Sequence, residues 1–156
     1  MATSRYRRVN LDGKSITETR AAKAVTLPGT FVVINADNEF AQATALSGRI
    51  YVANPAYHQG LSIRDGVPVG DSLVGEYVEE GRELAVLVPA GTYKKDSPIK
   101  LGADGKGALA SADTESVIGY SQDEVTLKAD DFIRVRFRVG TVAAAELKGK
   151  NYVLYC

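Results

Sequence analysis

Residues 132–139 read FIRVRFRV, with Ile133, Val135, Phe137 and Val139 on one face and Arg134, Arg136 and Arg138 on the other. A side-chain period of two with one apolar and one charged face specifies a half-buried antiparallel strand. Such a strand needs a sheet around it, and the rest of the chain supplies candidates. Residues 31–34 (FVVI), 40–45, 49–52 (RIYV), 77–78, 84–88 (LAVLV), 93, 99–101 and 117–120 (VIGY) are short β-rich segments with turn signals between them. Asn54-Pro55 ends one segment, since proline has no amide to donate to a ladder. Asp104-Gly105 is a two-residue turn signal, because a type I′ turn needs positive φ at both central positions. In the body only residues 142–147 (VAAAEL) read as helix, and residues 151–155 return to strand. Strands recurring every ~8–12 residues without helix–strand alternation predict an all-β fold, a small sandwich or barrel.

Leu27-Pro28-Gly29 breaks the pattern and divides the chain into a leader, residues 1–27, and a β-rich domain, residues 28–156. Over the whole chain 19 Lys and Arg balance 19 Asp and Glu. That zero is a cancellation. Residues 1–24 hold six basic and two acidic side chains, and the remainder is acidic by the same margin. A basic leader on an acidic body predicts an extended N-terminal binding arm. Within the leader, Ser15-Ile16-Thr17-Glu18 has the form of a capping box, which predicts a helical turn or two over residues 18–24. The candidate contact residues are Arg5, Arg7, Arg8 and Lys14 in the arm and Arg134, Arg136 and Arg138 on the strand. Removing residues 1–24 is expected to weaken attachment to a partner and leave the body folded.

Composition argues against catalysis. One histidine, His58, and one cysteine, Cys156, leave most acid–base, thiol and zinc chemistry without its residues. A lone cysteine also excludes an internal disulfide framework. No Gly-x-Ser-x-Gly elbow occurs, and residues 102–107 (GADGKG) lack phosphate-loop spacing, so they read as a hairpin turn. The pairs Glu79-Glu80 and Asp130-Asp131 flank strands as solvated charge and match no calcium-loop pattern. No metal or cofactor is expected. No apolar run reaches the ~18–20 residues of a membrane span, and the N-terminus lacks the apolar core of a signal peptide. The body is acidic, so the arginine face suits an acidic protein or this chain's own carboxylates better than nucleic acid.

The order of residues 86–91 (VLVPAG), 94–99 (KKDSPI), the 102–107 turn, 117–120 (VIGY) and 132–135 (FIRV) resembles the small β-rich capsid decoration, or cement, proteins of tailed bacteriophages. The leader resembles them too, with Gly13-Lys14-Ser15 ahead of an alanine-rich stretch and then PGTFV at residues 28–32. The resemblance implies a virion structural protein on the capsid exterior, made in the bacterial host cytoplasm. Its implied partners are the major capsid protein and further copies of itself, as a trimer before a dimer. It implies no enzyme activity, and no direct contact with nucleic acid or membrane. Residues 54–72 and 141–156 match nothing in the pattern. Two other readings stand beside it. One is a biotinyl- or lipoyl-like carrier module with Lys94-Lys95 on a hairpin. The other is a hydrolase using Glu79, Glu80, Asp130 or Asp131 with a bound cation.

Overall fold

The expected arginine strand is the last described strand of a two-sheet sandwich in a computed structural model that describes residues 5–14, 16–45, 49–110 and 117–137. Two five-stranded sheets carry the fold. In spatial order the first is β1 (Thr17–Ala21), β5 (Ser72–Tyr77), β4 (Tyr51–Ala53), β2 (Phe31–Ile34) and β3 (Phe40–Gln42). The second is β6 (Glu83–Val88), β12 (Asp131–Phe137), β10 (Val117–Ser121), β8 (Pro98–Leu101) and β9 (Gly107–Leu109). A two-stranded ribbon, β7 (Gly91–Tyr93) with β11 (Val125–Leu127), completes the set. Every strand ladder is antiparallel.

The alternation predicted for β12 is what the structure uses. Ile133, Val135 and Phe137 are buried, while Arg134 is partly and Arg136 well exposed. Their apolar face shares one core with Phe31 and Val52 of the first sheet, and Phe31 meets Phe137 edge-on, with ring centroids 6.1 Å apart. Phe132 lies on the arginine side of the period yet is also buried, covered by the Arg64 guanidinium 5.4 Å from its ring centroid. β6, apolar without a break after Glu83, is buried from Leu84 to Val88.

The central strands of the first sheet are covered on both faces. Val32, Phe40, Tyr51 and Leu73 point away from the shared core into a second cluster closed by Ala56 and Val67. Those covering residues come from the stretch 54–72, which thereby finds its role as a lid of loop over the sheet. Asp104 and Gly105 both adopt positive φ, 58° and 75°, and join β8 to β9 as the two-residue turn expected.

The leader departs most from expectation. No helix forms over residues 18–24; β1 occupies Thr17–Ala21 and pairs with β5 from Thr17↔Glu76 to Ala21↔Ser72. A helix this short is marginal in water, whereas a strand on an open sheet edge gains a ladder of hydrogen bonds at once. Upstream, Val9 is fully buried in the main core, and its carbonyl accepts the Ala85 amide at 2.9 Å. Residues 5–14 and 16–22 therefore lie built into the body. Arg138, Val139, Ser15 of the capping box, the helix expected at 142–147, the strand at 151–155 and Cys156 lie outside the described residues.

Candidate binding surface

The six described residues of the seven singled out above meet different fates, and a buried arginine that sequence reasoning passed over fixes the segment around Lys14. Arg82 follows the Glu79-Glu80-Gly81 turn, a setting that reads as solvated charge, yet its side chain has no exposure. Its Nε and Nη2 grip Asp12 in a fork, both at 3.1 Å. Nη2 also donates to Glu76 at 3.0 Å and to the Lys14 carbonyl at 3.3 Å, and Nη1 donates to the Tyr77 carbonyl at 3.0 Å. Asp12 in turn accepts the amides of Glu83 and Lys14, each at 2.9 Å. Burial pushes the Asp12 carboxyl up, but the Arg82 hydrogen bonds and charge and the two amides outweigh it, and its pKa falls to about 2. This cluster staples the N-terminal segment to the β5–β6 connection.

Arg5 is spent on a second carboxylate. One Asp123 oxygen accepts from Arg5 Nη2 at 3.0 Å, Tyr6 Oη at 2.6 Å and the Arg134 amide at 3.0 Å. Arg5 Nε also donates to the Phe132 carbonyl at 3.1 Å. Burial and the hydrogen bond to Asp123 raise the Tyr6 hydroxyl to about 12. Arg134 and Arg136 of the strand pair with a carboxylate as well. Arg134 donates to Glu83 Oε1, and Arg136 Nε donates to Glu83 Oε2 at 2.9 Å. Burial works against the Glu83 carboxylate, but hydrogen bonds and charge from Arg136 and Arg134 override it and lower its pKa. Among the described residues, Arg134 and Arg136 of this face both pair with the chain's own Glu83.

Arg7, Arg8 and Lys14 remain exposed, with no ion pair among the described residues. Beside the first two lies Tyr57, at the start of a short 3-10 turn, Tyr57–Gln59. Its hydroxyl donates to the Arg7 carbonyl, and the residue is 53% exposed. The sequence offered no cue that residue 57 would sit beside residue 7. His58 is exposed on the same turn and makes no catalytic pair among the described residues.

The acidic pairs that suggested hydrolysis are dispersed. Asp130 holds Lys106 at 2.6 Å, Asp131 holds Arg64 at 3.0 Å, and Glu79 and Glu80 sit at the β5–β6 turn. Among the described residues no three His, Cys, Asp or Glu side chains gather where they could hold a metal ion. Lys94-Lys95 lies between β7 and β8, which pair with β11 and with β9 and β10 respectively. That connection is not a hairpin, so the lysine presentation of a carrier module is absent. A cleft of about 450 Å³ opens between Lys23, Val25 and Leu27 on one wall and Asp104 and Lys106 on the other.

The family model described as XM1 gp53 minor capsid protein matches residues 4–139. A solved structure titled the crystal structure of head fiber gp8.5 N base in bacteriophage phi29 superposes with a TM-score of 0.52. It is 16% identical and covers 78% of this chain and 92% of its own, a likeness of fold. No curated protein sequence matches the chain.

Proposed function

Because this chain belongs to the XM1 gp53 minor capsid protein family, a family of phage capsid-associated structural proteins, we propose that it binds the outer surface of a phage capsid and stabilises contacts between major capsid protein subunits. The family match, which spans every described residue, carries the reading. The architecture supports it. A sandwich whose core is sealed on both faces of one sheet, with its N-terminal segment stapled down through Arg82, is a rigid body suited to filling a junction between subunits. Rigid surfaces lose little entropy on docking, so more of the contact energy appears as affinity. Several copies act together as a homo-oligomer, a trimer before a dimer, and linked contacts gain retention through effective concentration. The protein is made in the host cytoplasm and resides on the virion exterior. It works without touching nucleic acid or membrane, and without catalysis.

The test mixes purified protein with expanded capsids that lack it. Co-sedimentation to a fixed number of copies per capsid, with a rise in the temperature at which the shell opens, is expected. Absence of co-sedimentation at any protein concentration, or a saturated shell that opens at an unchanged temperature, overturns the reading.

A further inference from the structure

Every described arginine except Arg7 and Arg8 holds a carboxylate of this chain. The exception falls in a segment that is otherwise tightly fixed. Val9 is fully buried, Arg5 is tied to Asp123 and the Phe132 carbonyl, and Tyr57 holds the Arg7 carbonyl. The two guanidinium groups thus project from a backbone anchored on both sides. Beside them Tyr57 presents more than half its surface to solvent, the largest exposed aromatic among the described residues. Burial raises the Tyr57 hydroxyl pKa and the Arg8 charge opposes that rise, which places the Arg8 charge within electrostatic reach of the ring. Arginine and tyrosine are the residues that most often anchor protein interfaces, since each offers large contact area with few flexible bonds per hydrogen bond made. A guanidinium also matches a carboxylate in a fork, and it sheds water more readily than an ammonium does.

From this juxtaposition we infer that Arg7, Arg8 and Tyr57 form one anchor that docks onto an acidic protein surface of the partner, the two arginines pairing with its carboxylates while the Tyr57 ring packs between them. The inference rests on the capsid-binding reading above and specifies which face of the sandwich does the binding. It also sorts the basic candidates. Arg5, Arg134 and Arg136 serve the fold, and Arg7 and Arg8 serve the interface.

Full-length protein carrying R7E/R8E, R7Q/R8Q or Tyr57→Ala, with K94E/K95E as a control of equal charge change on the β7–β8 connection, is titrated onto capsids lacking the protein at low and raised salt. Arg7 and Arg8 are exposed and make no ion pair among the described residues, so the thermal midpoint of either double variant is expected to move by no more than about 2 °C. Should R7E/R8E shift it further, R7Q/R8Q supplies the reading. The expected result is at least about tenfold weaker binding for R7E/R8E with a flattened salt dependence, a smaller loss for R7Q/R8Q and Tyr57→Ala, and unchanged binding for K94E/K95E. If wild type binds and the arginine variants bind equally well, the anchor is overturned while the capsid reading stands. If wild type does not bind capsids, the capsid reading itself fails and takes the anchor with it. If wild type retains naked DNA on a filter through Arg7 and Arg8, the partner is nucleic acid and the inference is wrong.

Discussion

Replacing Asp12 by Asn removes one charge and almost no volume from the Arg82 staple. Arg82 is fully buried and loses the strongest of its two carboxylate partners, a fork with both contacts at 3.1 Å. Breaking a buried pair on one side costs about 3–5 kcal/mol, because the other charge is left undersatisfied in a poor solvent. An independent figure comes from the proton. Asp12 titrates at about 2 against 3.8 when unperturbed, a gap worth about 2 kcal/mol of stability. Glu76 stays at 3.0 Å from Arg82, and the amide oxygen of Asn still accepts one hydrogen bond, so the lower end of the range applies, about 3 kcal/mol. For a chain of this size that lowers the thermal midpoint by about 6–12 °C. The depressed carboxylate contributes stability that is fully present above its unfolded value near 3.8 and lost as pH falls through about 2. The gap in midpoint between wild type and D12N is therefore constant above pH 4 and closes towards pH 2. Differential scanning fluorimetry across pH measures it, and limited trypsin digestion at Arg7 and Arg8 reports whether the leader has come loose. A D12N midpoint equal to wild type at neutral pH, or a gap that persists undiminished at pH 2, refutes the reasoning.

Gly75→Ala places a methyl 2.7 Å from Phe40 Cζ and 2.9 Å from Tyr51 Cβ, so a loss of about 1–3 kcal/mol is expected, read from the urea midpoint. Tyr6 titrates at about 12, so it contributes stability that is present below pH 10 and lost as pH rises towards 12; Tyr6→Phe should remove that part of the alkaline fall in midpoint. Deleting residues 1–24, expected from sequence to spare the body, should instead abolish a cooperative transition. The deletion takes away Val9 from the core, Asp12 from Arg82 and the whole of β1 from its sheet.

Legibility followed burial pattern. β12 was visible because one face is dry and the other wet, and β2, β6 and β10 because short apolar runs bounded by turns are hard to place elsewhere. β1 was not, because TETRA is an edge strand whose side chains are exposed or half-exposed, and its strand character resides in backbone pairing with β5. Residues 54–72 gave no period because a covering loop takes its burial from the surface beneath it. Ala56 and Val67 seal the outer cluster, whereas Ile63 reaches the main core. Arg82 stayed hidden for a different reason. An arginine after a turn is solvated unless something distant arrives to pair with it, and Asp12 arrives from 70 residues away.

The charge split of the leader acquires a different meaning once those pairings are known. Read as sequence, six basic and two acidic residues in the first 24 make a uniformly cationic arm. In the fold, Arg5 and Arg20 are neutralised locally by Asp123 and Glu18, and Asp12 is committed to a body arginine, so the leader gives and receives charge across the sandwich. Net charge of a segment therefore overstates what it offers a partner. What remains uncompensated near its start is Arg7 with Arg8, held in place by Val9 on one side and Tyr57 on the other. An arm that was free would pay for ordering its arginines when it docked. Here the backbone that carries them is already ordered by folding, and two exposed guanidinium groups on that anchored backbone are the form in which the leader's excess charge reaches the surface.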